Sequence, residues 1–405
     1  MGGGLLQLAA ATGPQDERLT VNPERTFWKQ AYHRHANFAV ESIAQTMSGS
    51  ATFGGHTTCT LSRSGDLVTG LVAEIVMKRG TGTPFYPAEN LLREVELQIG
   101  AQRFDLLTNT WLRIYDELYR SVDAREANRQ MADFVYEPVG SIKRFYVSLP
   151  FWFCRGEAGA ALPLIALQYH EVQLRFKFEE AANIPGIDTS FDPQITLWAD
   201  YVFLDPAERR WFASTAHECL IEQIQVDRQT VDVRSVKYES TVILPFNHPV
   251  KYLVWVLKVP SASHGVFTGS GKMSGLESQE VFGPVAEAGL QLNGTDRFKP
   301  RKGSYFRLHH ACSAFGQAPS VGVYVYSFAL RPASWLPSGT LNMSRLEDVR
   351  LVLTTKAAKL ANDEVASNED ETTVSATDLK FIEVYARNYN VVRIDAGMAG
   401  LLFAA

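Results

Sequence analysis

Apolar and polar residues alternate along much of this chain. Val172, Leu174, Phe176 and Phe178 are separated by Gln173, Arg175 and Lys177. A period of two predicts a strand with one buried and one wet face. Val95, Leu97 and Ile99 repeat the pattern around Glu96 and Gln98. Ile195, Leu197, Ala199, Tyr201 and Phe203 share one face of another run, as do Val349, Leu351 and Leu353 late in the chain. Gly, Pro, Asn and Asp punctuate these runs, as hairpins and loops require. Helical spacing is scarce. Trp111, Ile114, Tyr115, Leu118 and Tyr119 recur every three or four residues and predict one helix; Ala124–Phe134 predicts a second. Both lie between strand phrases, which places them in one long loop.

The strand phrases return in order. Val40-Glu41-Ser42-Ile43 comes back as Ile221-Glu222-Gln223-Ile224. Leu97-Gln98-Ile99, with Gly100, Arg103 and Phe104, comes back as Leu290-Gln291-Leu292, with Gly294, Arg297 and Phe298. Glu171-Val172-Gln173-Leu174 matches Asp348-Val349-Arg350-Leu351, and Trp198-Ala199 matches Tyr385-Ala386. The displacements lie between 177 and 194 positions. Four collinear matches with loop-sized drift predict a duplicated all-β domain. Open sheets of this size would leave long edges exposed, so sandwiches or barrels are expected, and the eight-stranded jelly roll is the common solution. The expected fold is all-β: two tandem eight-stranded antiparallel jelly rolls with short helices in loops. The Pro- and charge-rich stretch Asp205–Arg210 reads as a short connecting loop. The expected organisation is an N-terminal arm over 1–24, a first jelly roll over 25–210 and a second over 211–405. Ser261–Gly289, rich in Gly and Ser, and the acidic Asn362–Thr373 read as exposed loops.

Length and composition narrow the function. The 405 residues are 46% apolar and 20% charged, with net charge −5. Such a balance offers no basic field for a nucleic-acid backbone, so no direct nucleic-acid binding is expected. Cys59, Cys154, Cys219 and Cys312 show no metal-type spacing and read as buried thiols of a reducing compartment. No basic stretch precedes Leu5–Ala11, so no secretory leader is expected.

Several phrases resemble the major capsid proteins of large icosahedral nucleocytoplasmic DNA viruses, the algal phycodnavirus and iridovirus type. Asn22-Pro23, Thr26-Phe27 and Tyr32 through Phe38 are similar to that family's opening phrase. Leu162-Pro163-Leu164-Ile165-Ala166-Leu167-Gln168-Tyr169-His170-Glu171-Val172 is similar to its signature in the first barrel. Phe246-Asn247-His248-Pro249, Arg301-Lys302-Gly303-Ser304-Tyr305-Phe306, Tyr326-Ser327-Phe328-Ala329-Leu330 and Pro337-Ser338-Gly339-Thr340 extend the likeness through the second, and Tyr389-Asn390-Val391 closes it. The resemblance implies a double jelly roll, a homotrimer of pseudo-hexagonal outline, and contacts with neighbouring capsid trimers, minor capsid proteins and internal membrane-associated proteins. It implies a virion capsid location after synthesis and assembly in the host cell cytoplasm, with no enzymatic activity and no cofactor. The alternative is a double jelly-roll protein that binds or processes glycans.

Candidate chemistry is sparse. His33 and His35 with Glu41 have a cupin-like look, but five residues separate His35 from Glu41, and no metal site is expected. His309-His310, read as part of a strand, would point to opposite faces. His170 and His248 are expected to hydrogen-bond in the core or at barrel contacts. Ser270 lacks the strand-turn-helix setting of a nucleophile, and no catalytic residue is expected. Two sequons, Asn293-Gly294-Thr295 and Asn342-Met343-Ser344, are the candidate glycosylation sites, Asn293-Gly294 also being good turn chemistry. Arg103 and Arg297 are expected at equivalent places on the two barrels, bracing loops or facing neighbouring subunits.

Overall fold

The computed structural model describes residues 3–10, 13–24, 27, 35–81, 86–134, 137–184, 186–230, 238–258, 285–319, 322–355 and 381–403. The chain divides into two compact units, Met1–Phe38 and Ala39–Ala405. The first carries the helices Gly3–Ala10 and Pro14–Thr20. Among the described residues, no helix is long and apolar enough to cross a membrane.

The second unit is a double jelly roll. Its first half contributes β1 (Phe38–Gln45), β2 (His56–Thr60), β3 (Leu67–Lys78), β4 (Leu92–Ile99), β5 (Gln102–Thr108), β6 (Ile142–Ser148), β7 (Val172–Phe178) and β8 (Gln194–Leu204). Its second half contributes β9 (His217–Thr230), β10 (Tyr238–Ile243), β11 (Pro249–Lys258), β12 (Val285–Leu292), β13 (Thr295–Lys302), β14 (Val323–Ser327), β15 (Val349–Thr355) and β16 (Phe381–Asp395). The first half pairs as β1-β8-β3-β6 and β2-β7-β4-β5, and the second as β9-β16-β11-β14 and β10-β15-β12-β13. Strand for strand, the two halves share one topology.

The repeated phrases occupy equivalent strands: the first, the fourth-to-fifth hairpin, the seventh and the eighth. Their register agrees too. Leu97 lies opposite Leu174 in one barrel, and Leu290 lies opposite Leu351 in the other. The hairpin turns are alike. Gly100 and Ala101 have φ of 56° and 68°, and Asn293 and Gly294 have 48° and 77°. Two consecutive left-handed residues are what a tight two-residue hairpin demands. Gly100 cannot carry a side chain for a second reason: a Cβ there would sit 2.4 Å from His170 Nδ1.

The alternation read along β7 holds, with Val172, Leu174, Phe176 and Phe178 all buried. The two expected helices are Asn109–Tyr119 and Val122–Ala132, between β5 and β6, and each is N-capped by a hydroxyl, of Thr108 and Ser121.

The cysteines are free but not all buried: Cys59 is buried, Cys154 and Cys219 are half-buried and Cys312 is exposed. Three further expectations change. Asp205–Arg210 is not a loop but opens the helix Pro206–Ser214; the Asp205 carboxylate accepts from the Ala207 and Glu208 amides and proline fills the first turn. The histidine pair is not on a strand: Tyr305–His310 is π-helical and runs into the helix Ala311–Phe315, which Gly316 ends at φ 79°. Of the glycine-rich stretch, Val285–Gly289 belongs to β12, where Val285 and Ala288 are buried; 261–284 lies outside the described residues, as does Asn362–Thr373.

Candidate functional site

The two barrels meet along one buried seam. The first barrel supplies β5, the helix Asn109–Tyr119 and the turn Trp152–Arg155; the second supplies β9, β11 and β16. Both β5 and β9 end their sheets, so each brings an unpaired edge to the junction. The edges satisfy one another. Asp105 Oδ1 accepts from the Ile224 amide at 3.0 Å, and the Gln223 carboxamide donates to the Phe104 carbonyl.

The second barrel's β9-β16-β11-β14 sheet is covered on both faces. Leu253, Trp255, Leu257, Ile382, Val384 and Ala386 pack into that barrel's own core. The alternate residues Tyr252, Val254, Val256 and Tyr385 pack with the core of the first barrel. This explains the unbroken apolar run Tyr252–Leu257, a pattern expected of a strand buried on both sides. Trp111, fully buried, lies 6.5 Å from the Tyr252 ring and 5.5 Å from the Tyr385 ring. The Tyr119 and Tyr252 hydroxyls meet at 2.7 Å, and Thr108 Oγ1 meets the Tyr385 hydroxyl at 3.0 Å.

A buried charge cluster completes the seam. Glu222 on β9 receives the Lys251 ammonium at 2.5 Å, Arg387 Nε at 3.1 Å and the Arg155 guanidinium. Lys251 is the extra residue where the β11–β16 register shifts between Val250 and Tyr252, and the bulge re-aims its side chain. Burial opposes ionisation of Glu222, but Arg387, Arg155 and Lys251 outweigh it and hold the carboxyl below its usual range. Burial brings Lys251 down to about 8, against the pull of Glu222. Arg387 is driven above its ordinary value, because Glu222 and neighbouring phenols overcome the cost of burial. Of these pairs, Lys251–Glu222 and Arg387–Glu222 lie within the second barrel, and Arg155–Glu222 ties the Trp152–Arg155 turn of the first barrel to β9 of the second.

A C-terminal clasp ties the far end. The turn after β16 approaches the first barrel closely: the Tyr169 amide donates to the Gly397 carbonyl at 3.0 Å and the Ala399 amide to His170 Nδ1 at 3.2 Å. A Cβ on Gly397 would meet the Tyr169 ring at 2.7 Å.

Burial also loads the first barrel with carboxyls that resist ionisation. Desolvation pushes Glu89 up to about 7 and Asp116 and Asp105 up to about 6, against the opposing pull of Arg113 and, for Asp105, Arg387. Each folded value exceeds the unfolded one of about 4, so the folded chain holds these protons more tightly. Their contribution to stability is complete below pH ~4 and drains away as pH rises through 6 to 7. Glu89→Gln is expected to remove on the order of 2 kcal/mol of this pH dependence. Denaturant unfolding of wild type and variant at pH 5 and 7.5 checks it; parallel pH profiles would contradict the assignment.

The sequence-level candidates do not converge on a catalytic centre. His35 lies in the N-terminal unit with Nδ1 2.8 Å from the Ala36 carbonyl, Glu41 is exposed on β1, and His33 and Ser270 lie outside the described residues. Among the described residues, no three His, Cys, Asp or Glu side chains are grouped to hold a metal ion. The His248 amide donates to Ser344 Oγ at 2.7 Å, and its carbonyl accepts from the Met343 amide. His310 Nε2 accepts from the Ser327 amide, and its ring stacks on Tyr326. Both sequon asparagines are exposed, and their oxygens serve the fold: Asn293 accepts from the Glu347 and Asp348 amides, and Asn342 from the Ser344 amide. Arg103 and Arg297 are exposed at matching hairpins, Arg103 lining a cleft of about 380 Å³ beside the seam. Sequence reasoning missed the seam itself. The signal available was the apolar run of β11 interrupted by the single Lys251.

Comparison with known proteins agrees with this architecture. A family profile described as "Major capsid protein N-terminus" matches residues 26–205, and one described as "Large eukaryotic DNA virus major capsid protein" matches 208–400. The major capsid protein of Paramecium bursaria Chlorella virus 1 is 42% identical, and that of Pyramimonas orientalis virus 36%, each over the whole of both chains. A chain of the PBCV-1 virus capsid superposes with a TM-score of 0.85 at 41% identity, covering 94% of this chain and 100% of its own. The Faustovirus major capsid protein shares the fold at TM-score 0.70 and 11% identity, with 96% of each chain covered. A duplicated jelly roll, one buried seam and similarity along its whole length place this chain in the family of large eukaryotic DNA virus major capsid proteins.

Proposed function

We propose that three copies of this chain form a capsomer of pseudo-hexagonal outline, and that many such capsomers tile an icosahedral shell. The observation that carries the reading is the pair of like-wound barrels locked side by side by a buried seam. Six similar barrels around a threefold axis approximate a hexagon while keeping closed cyclic symmetry. Barrels that rocked against each other would blur that outline, and the Glu222 cluster opposes such rocking. The relatives, named as major capsid proteins, support the same role.

The finer parts of the reading follow from it. The barrels divide as 25–210 and 211–405 after an arm over 1–24, a division supported by the two profile matches. The chain acts by assembly and has no catalytic turnover; the glycan-directed alternative finds no counterpart among the relatives above. Its partners are neighbouring capsid trimers, minor capsid proteins and internal membrane-associated proteins, met in the host cell cytoplasm. Asn293 and Asn342 are exposed acceptors for glycans.

Native mass measurement of the purified protein tests the central claim. The expected species has three times the 45.1 kDa mass of the chain, and electron micrographs show hexagonal outlines. A stable monomer at micromolar concentration would overturn the capsomer reading.

A further inference from the structure

We propose that the cleft where the two barrels of one chain meet is a docking site for a short extended peptide with acidic side chains, contributed by a partner protein. The site is complete within one chain, so it goes beyond the capsomer reading and does not depend on it.

The cleft follows from the way the seam is built. Gln223 bonds to Phe104 and Ile224 to Asp105, so the contacts advance together and β5 and β9 run side by side in the same direction. The two strands belong to different sheets, and side chains rather than a backbone ladder join them. A groove of about 380 Å³ is left over the junction, a size within the ~300–1,000 Å³ range of ligand pockets. Its lining includes Arg103–Leu106 of β5 and Gln223–Val226 of β9, and Pro245–His248 and Leu401 help to complete it. Four residues at a rise of about 3.3 Å make it roughly 10 Å long, room for about three extended residues.

Most of the polar lining is already engaged. Gln223 donates to the Phe104 carbonyl and accepts from Asn390, while Gln225 donates to the Asn247 carbonyl and accepts from its amide. Three groups are left over. The Arg103 guanidinium is exposed and has no ion pair among the described residues. The His248 imidazole is buried, and its ring has no hydrogen bond among the described residues. Burial holds it below its ordinary pKa, so at pH 7 the neutral ring offers one donor and one acceptor. Asp105 is 3% exposed, and its Oδ2 is buried without a partner. His248 is also held at φ 66° by the Ser344 hydroxyl and the Met343 amide. A side chain fixed in that strained region is a place to look for function.

The unused groups identify the occupant. Arg103 calls for a carboxylate. His248 and Asp105 call for neutral donors and acceptors, which a peptide backbone supplies as N–H and C=O. A small free anion would satisfy Arg103 but would have no hydrogen to offer the Asp105 carboxyl. Half-buried Leu106, Val226 and Leu401 add apolar contact. Alternate side chains of an extended strand take opposite sides, so acidic residues can reach Arg103 while apolar ones lie against that surface.

A fluorescein-labelled pentapeptide alternating valine and aspartate, titrated with the full chain and read by fluorescence anisotropy, tests this. Saturable binding is expected, at least roughly tenfold tighter than that of the valine–lysine counterpart. Arg103→Glu should weaken it by roughly tenfold or more, while Arg297→Glu, the same change at the matching hairpin of the other barrel, leaves it unchanged. Both positions are exposed, and thermal unfolding like that of wild type shows each variant to be folded. Absence of saturable binding, equal binding of the lysine peptide, or equal affinity in the two arginine variants overturns the site. Displacement of the peptide by inorganic phosphate at equal concentration makes the cleft a plain anion site and overturns the peptide occupant.

Discussion

Glu222→Ala is expected to lower the unfolding free energy by about 3–5 kcal/mol, the range for removing one partner of a buried ion pair. The reason is not the loss of three attractions, each of which water would largely replace. Arg155, Lys251 and Arg387 would remain buried without the carboxylate that all three contact, and Lys251 and Arg387 are almost wholly inaccessible. Lys251, already brought down to about 8, would shed its proton and relieve part of the cost; an arginine has no such exit. Glu222→Gln keeps the acceptor oxygen but loses the charge, so it should fall between wild type and Ala. The matched control is Glu41→Ala, the same residue of the other repeat. Exposed on β1, it should change monomer stability by less than ~0.5 kcal/mol. Denaturant unfolding of the three variants against wild type is the measurement. Equal and small losses at 222 and 41 would refute the claim that the seam depends on this cluster.

That contrast marks how far sequence alone could reach. Fold class and topology were legible because strands announce themselves by alternation and because each repeated phrase sits at the same strand of its barrel. The fates of Glu41 and Glu222 were not legible. Their local phrases are similar, sharing the Glu and the Ile two places on, and only packing decides that one faces water and the other faces three cations. Alternation fails for the same reason along β11 and β16. A strand covered on both sides loses its period of two, and the faces can be told apart only once Tyr252 and Leu253 are seen in different cores. The Tyr305–His310 segment misled because aromatic and histidine side chains suit strands as well as helices. The linker helix, by contrast, carried a readable start: Asp205 before Pro206, with Glu208 in the first turn.

Trp111→Ala should destabilise the chain by about 3–5 kcal/mol, the range for emptying the place of a large buried aromatic. The side chain belongs to the first barrel by sequence but fills space between the two barrels. Its rings lie against Tyr252 and Tyr385 of the second barrel, and the Arg387 guanidinium sits 5.9 Å from its centroid. Its own helix cannot collapse into the gap, because the Thr108 hydroxyl that caps it also holds the Tyr385 hydroxyl. The void would therefore stay open, and open voids are the costly kind. Trp111→Phe separates packing from polarity. The indole Nε1 is buried without a hydrogen-bond acceptor in the structure, so phenylalanine forfeits volume but no bond, and its cost should be under half that of alanine. Because the cavity lies on the seam, the Ala variant should also let the barrels unfold in two steps, seen as separated transitions in a denaturant series. A single transition shifted by less than ~1 kcal/mol would mean that Trp111 fills a site the barrels can close without it, and the seam would have to be held by its hydrogen bonds, its charges and the remaining apolar contacts.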